Sequence, residues 1–102
     1  MQADEVVVGI ALEEPCLTLE EVAAACAVEP AWVVRHVEEG FVVCSGEGAA
    51  HWRFSSATLT RVRRIRELER DFDAVPELAA LVADLLEEMD QLRAQLGREG
   101  AR

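Results

Sequence analysis

The first apolar run, Val6-Val-Val-Gly-Ile-Ala-Leu12, is short and β-branched, and reads as a strand or an extended arm. Leu17-Thr18-Leu19-Glu20-Glu21-Val22 follows. Thr18 and Glu21 stand at capping-box spacing, and Leu17 and Val22 where a hydrophobic staple would close over the first turn. These signals predict a helix from Leu19 to about Cys26. A second helix opens at Pro30, whose missing N–H suits a first turn, and stops before Gly40, with Trp32, Val33 and Val37 as its buried side. Phe41-Val-Val-Cys44, Ser45-Gly-Glu-Gly48 and His51-Trp-Arg-Phe54 read as a hairpin, two strand-forming flanks around a glycine-bearing reversal. Ser56 is a candidate cap for a helix over about 57–71, with Leu59, Val62, Ile65, Leu68 and Phe72 on its apolar side.

The last segment has the sharpest rhythm. From the break at Asp73 and Pro76 to Gly97, Leu78, Val82, Leu85, Met89, Leu92 and Leu96 alternate spacings of four and three, and Leu81 and Leu86 widen the stripe. Such a heptad seam on a terminal helix calls for a partner surface, either the preceding domain or a second copy of the chain. The first two helices make a helix-turn-helix-like unit and the hairpin would be its wing. Residues 1–72 are therefore expected to form a winged helix-turn-helix-like domain with an N-terminal strand, 73–97 a coiled helix, and 98–102 a tail.

Charge narrows the choice of partner. The 102 residues carry 20 acidic side chains against 10 basic ones, all arginine. Residues 1–40 hold Asp4, Glu5, Glu13, Glu14, Glu20, Glu21, Glu29, Glu38 and Glu39 against Arg35 alone, whereas Arg61, Arg63, Arg64, Arg66 and Arg70 crowd one later stretch. A free acidic surface repels nucleic acid and anionic lipid and steers basic protein partners. No apolar run is long enough to span a bilayer, the first residues lack the basic start of a signal peptide, and three cysteines without close pairing argue against a disulfide framework. A cytoplasmic protein is expected.

Several elements in this order resemble the CbpM-type chaperone modulatory proteins of the MerR-like winged-helix family. The resemblance rests on Glu14-Pro-Cys16 after the N-terminal strand, Glu39-Gly40-Phe41-Val42 after the second helix, Trp52-Arg-Phe54, and Arg64-Ile-Arg-Glu-Leu-Glu-Arg-Asp-Phe72. The run from Val75 to Leu96 is the closest match. The chain departs from the family at Val42-Val43-Cys44, where a proline-containing segment is usual. The resemblance implies a mainly α fold: a MerR-like winged helix-turn-helix with a small β wing and a C-terminal coiled helix. It also implies a non-enzymatic modulator that binds the J-domain of a CbpA/DnaJ-like co-chaperone and blocks its work with Hsp70. An acidic competitor suits the basic helix that a J-domain presents to Hsp70. The expected partner surface combines Glu77, Asp84, Glu87 and Glu88 with Trp52 and Phe54 nearby. For Phe54, packing inside the wing is the stronger expectation, and a homodimer through the last helix is the other partner considered.

The rival reading is a MerR-like DNA-binding transcriptional regulator. Its second helix would offer only Arg35 and His36, beside Glu38 and Glu39, and the wing only Arg53, so every phosphate contact would compete with nearby carboxylates. Cys16, Cys26 and Cys44 with His36 and His51 form no metal-ligand spacing, and no catalytic set or phosphate loop is present. No cofactor and no enzymatic activity are expected.

Overall fold

A computed structural model describes residues 15–100, which build four α-helices: α1 (Leu19–Cys26), α2 (Pro30–Glu38), α3 (Ser56–Asp71) and α4 (Pro76–Gly100). The arm expected at Val6–Leu12 lies outside the described residues.

α1 begins as the capping pattern predicts. The Glu21 amide donates to Thr18 Oγ1 at 3.1 Å and the Thr18 amide to Glu21 Oε1 at 2.9 Å, so two amides left over by the helix start are satisfied reciprocally. Its end carries no sequence signal: Ala27 takes the left-handed conformation (φ 57°), with its own amide on Ala24 O and the Val28 amide on Ala23 O, a Schellman closure without glycine. α2 has Pro30 in its first turn and Gly40 (φ +86°) just past its end.

The wing is where the structure departs from expectation. Among the described residues there is no sheet. Segment 41–54 makes one isolated bridge, Ser45 to Arg53, and a 3-10 turn at Ala49–His51, while Phe54 bridges separately to Leu17. The reason lies in where the backbone donors go. The Phe41 and Val42 amides both donate to the His36 carbonyl, at 2.9 and 3.2 Å, so the would-be first strand closes the end of α2 instead. Gly46 (φ +98°) lies so close to the His51 carbonyl that a Cβ there would collide with it, and the loop folds onto itself rather than into a ladder.

α3 starts one residue earlier than expected. Ser55, not Ser56, caps it by accepting the Thr58 amide at 3.0 Å. Val62 and Ile65 are fully buried, with Leu59 and Leu68 packed partly beside them. Phe72, expected on that face, is largely exposed. The chain turns away there, the Phe72 and Ala74 amides both donating to Leu68 O and Asp73 adopting φ 56°, so Ala74 rather than Phe72 packs on the core.

The core gathers Val22, Val33, Val42, Phe54, Val62 and Ile65, all essentially inaccessible, and α4 closes it with Ala79, Ala80 and Ala83. α3 and α4, joined through residues 72–75, form a helical hairpin. At about 1.5 Å per residue, α4 is roughly 37 Å long against roughly 24 Å for α3. The helix also continues through Gly97 to Gly100, beyond the end expected for it.

Candidate interaction surface on the last helix

α4 has two apolar faces, and the small one is buried. Ala79, Ala80 and Ala83 sit against α3, where the lack of bulk beyond Cβ lets the helices approach closely. The heptad seam points the other way: Leu78, Leu85, Met89, Leu92 and Leu96, with Leu81 beside them, remain 42–66% exposed, and only Val82 and Leu86 are half-buried. Among the described residues the contact of α4 with the preceding helices is made by its alanines and not by the seam. Val75 and Phe72, also exposed, extend the apolar strip to the turn of the hairpin. An exposed apolar stripe of this length makes this face of α4 a candidate interaction surface.

Carboxylates divide between the two sides. At about 100° per residue, Glu77, Glu88 and Glu99 follow one edge of the seam. Nearer α3, Arg61 reaches across to Asp84 at 2.7 Å and Glu87 at 3.0 Å, and Arg64 to Asp90 at 2.7 Å. The same Arg61 donates its Nε–H to the Phe41 carbonyl at 2.7 Å. Burial alone would lower the Arg61 pKa, but its hydrogen bonds to Glu87 and Asp84 more than offset that, so the net shift is upward and the guanidinium stays charged.

The residues expected at the partner surface thus have different fates. Glu88 is exposed on the seam's edge. Glu77 is exposed and lines an open cleft of about 200 Å³ with Arg35, His36, Glu39, Phe41 and Pro76. Asp84 and Glu87 are engaged by Arg61 and serve first to position α4. Trp52 is half-buried and packs edge-on against Phe54, ring centres 6.3 Å apart. Phe54 itself is fully inaccessible: its backbone pairs with Leu17 and it belongs to the hydrophobic core, against which Trp52 packs.

Sequence reasoning missed two polar nodes, the Arg61 clamp and a buried cluster at the α2–α3 junction. There, His36 is stacked on Trp32 with ring centres 3.7 Å apart, its Nδ1 is 2.8 Å from Trp32 O, and its Nε2 is 2.7 Å from Glu69 Oε2. The Trp32 indole N–H donates to the other Glu69 oxygen at 3.3 Å. The i, i+4 spacing of Trp32 and His36 was a signal for their stacking; nothing local announced Glu69. His36 is therefore unavailable to a phosphate backbone, which leaves Arg35 as the exposed cation of α2, beside Glu38 and Glu39. Among the described residues no group of three side chains could hold a metal ion, and no helix is long and apolar enough to cross a membrane.

Comparison with known proteins places this geometry. Residues 17–98 match a family described as "MerR HTH family regulatory protein". A curated relative, the chaperone modulatory protein CbpM of Pseudomonas entomophila (strain L48), is 34% identical over 64 residues. That alignment covers 63% of this chain and 63% of the relative, less than two thirds of its length. No solved structure matches the chain significantly.

Proposed function

The chain belongs to the MerR HTH family of regulatory proteins, and on that premise we propose that it is a non-enzymatic chaperone modulator. It binds the J-domain of a CbpA/DnaJ-like co-chaperone and keeps that domain from Hsp70. The observation that carries this reading is the exposed leucine seam of α4 with Glu77, Glu88 and Glu99 along one edge. Apolar anchors beside a row of carboxylates fit a basic amphipathic helix: buried side chains supply affinity, and charge supplies encounter rate and selection. The similarity to a chaperone modulatory protein supports the same reading. Trp52 and Glu77 extend the proposed contact beyond the seam. The seam also suits a second copy of the chain, so a homodimer through α4 is part of the proposal. The protein is proposed to act in the cytoplasm, where such co-chaperones work.

The competing function within the family is DNA-binding transcriptional regulation. The outward side of α2 disfavours it, since Arg35 stands there among carboxylates. Isothermal titration against an isolated J-domain of a CbpA-like co-chaperone, at low and at physiological salt, separates the two. Saturable binding that weakens with salt is expected. Absence of binding at both salts, together with salt-sensitive retention of duplex DNA, would transfer the assignment to transcriptional regulation.

A further inference from the structure

The cleft where α2 ends and α4 begins is lined by charges that the chain leaves unanswered. Glu39, at the C-cap of α2, and Glu77, in the first turn of α4, both line it, together with Phe41, Pro76, Arg35 and His36. Among the described residues neither carboxylate has a cationic partner, whereas Asp84, Glu87 and Asp90 farther along α4 are held by Arg61 and Arg64. His36 offers the cleft no free nitrogen, since Nδ1 meets the Trp32 carbonyl and Nε2 meets Glu69. At about 200 Å³ the cleft is smaller than the ~300–1,000 Å³ of ordinary small-molecule sites, so it fits one side chain better than a whole ligand.

The seam beside it is graded in charge. Along α4, residues 77–90 carry Glu77, Asp84, Glu87, Glu88 and Asp90 and no cation, while Arg93 and Arg98 lie beyond. Across the helix the two edges differ as well: at about 100° per residue, Glu77 and Glu88 fall on one edge and Arg93 on the other. Asp84, which Arg61 joins to the Phe41 carbonyl, lies on the same side as Glu77, so that edge faces the end of α2 and its Glu39. The acidic end of the seam and the cleft are therefore one continuous surface sharing Glu77. The helix ends offset each other there, α2 presenting its negative end and α4 its positive one. Two carboxylates against Arg35 leave the cleft net negative.

On the reading above, that the protein binds a J-domain, we propose that this cleft receives a lysine or arginine side chain of the partner's basic helix. The apolar face of that helix then lies on the N-terminal half of the seam, not on its C-terminal half. Glu39 and Glu77 flank the cation, the half-buried Phe41 ring gives it an aromatic wall, and Leu78, Leu81 and Leu85 receive the apolar side chains. Arg35 opposes the guest. Removing it should therefore tighten binding, an effect that no merely structural role predicts.

The test is isothermal titration of the full chain with the isolated J-domain of a CbpA-like co-chaperone, at low and at physiological salt. Wild type is compared with Glu39→Gln combined with Glu77→Gln, with Arg35→Gln, and with Glu99→Gln. All four residues are exposed, so the variants should keep the wild-type midpoint of urea unfolding. Loss of the two cleft carboxylates should weaken binding about fivefold to tenfold and flatten its salt dependence, and Arg35→Gln should tighten it about twofold or more. Glu99→Gln, on the same edge but roughly 33 Å away, should change it by less than about twofold. Unchanged affinity in the cleft variant, or an equal loss in Glu99→Gln, would show that overall charge alone steers the partner. Weaker binding by Arg35→Gln would show that the cleft holds an anion. Each of these overturns the cationic occupant and leaves the J-domain reading standing, whereas a wild type that does not bind overturns both.

Discussion

Arg61 donates its Nε–H to the backbone carbonyl of Phe41 at 2.7 Å, and from that anchor its NH1 holds two carboxylates of the last helix. One side chain of α3 thereby joins the end of α2 to the middle of α4. Arg61→Ala strands the Phe41 carbonyl and releases Asp84 and Glu87. Because the guanidinium is mostly buried while its carboxylate partners are partly solvated, a loss of about 2 kcal/mol is expected, read by urea unfolding. A loss below about 0.5 kcal/mol would show that α4 is held by its alanines alone.

The alanine face sets how close α4 lies to α3. Ala83 is fully buried, so Ala83→Leu must push the helices apart or force strained rotamers. Overpacking of this kind costs about 1–3 kcal/mol. The expected result is a lower midpoint of thermal unfolding with helical content preserved in the native baseline. An unchanged midpoint would mean that the α3–α4 contact is looser than the burial of Ala79, Ala80 and Ala83 indicates.

The leucine face should behave in the opposite way. Leu85 and Leu92 are more than half exposed, so Leu85→Glu with Leu92→Glu should leave monomer stability within about 0.5 kcal/mol, as surface substitutions do. Titration and sedimentation should nevertheless show loss of partner binding or of self-association. If both survive the double change, the seam is not the interface.

Ala27 holds a left-handed conformation that glycine adopts without a Cβ penalty. Ala27→Gly should stabilise the fold by about 0.5–1 kcal/mol, the relief at φ 57° exceeding the added freedom of the unfolded chain. A destabilised variant would instead indicate that the Ala27 methyl group contributes packing at the α1–α2 turn.

Burial pushes the Cys26 thiol up, opposed by Arg63 and Arg66, and burial does the same for Cys44. Folded Cys26 therefore keeps its proton at a pH where the unfolded chain has begun to lose it. The folded state then binds more protons, and stability falls with rising pH in the alkaline range. In thiol labelling at pH 8, exposed Cys16 should react first, Cys44 next, and Cys26 only as fast as the chain unfolds. Rapid native-state labelling of Cys26 would contradict its burial.

Helix identity and most helix ends were legible because their determinants are local. The Thr18–Glu21 capping box, Pro30 in a first turn and the breaks around Pro76 act within a few residues, and each appears where the pattern put it. The heptad of α4 was equally legible as a pattern. Its direction was not, since a helix with a leucine stripe and an alanine stripe can bury either. The choice was made by α3, which offers Val62 and Ile65 as a close-packed surface and Arg61 and Arg64 as clamps, and so selects the face that permits near approach. The missing wing has the same origin. Phe41-Val-Val-Cys44 has strand-forming residues, but the free carbonyl of His36 at the end of α2 captures the Phe41 and Val42 amides before a ladder can form. Glu69 and His36, 33 residues apart, became partners only when α2 and α3 packed. Sequence by itself determined the helices, their caps and an apolar stripe in search of a partner. Tertiary structure decided which groups that stripe leaves exposed and which distant polar atoms meet, because those outcomes depend on competition among contacts that no local window contains.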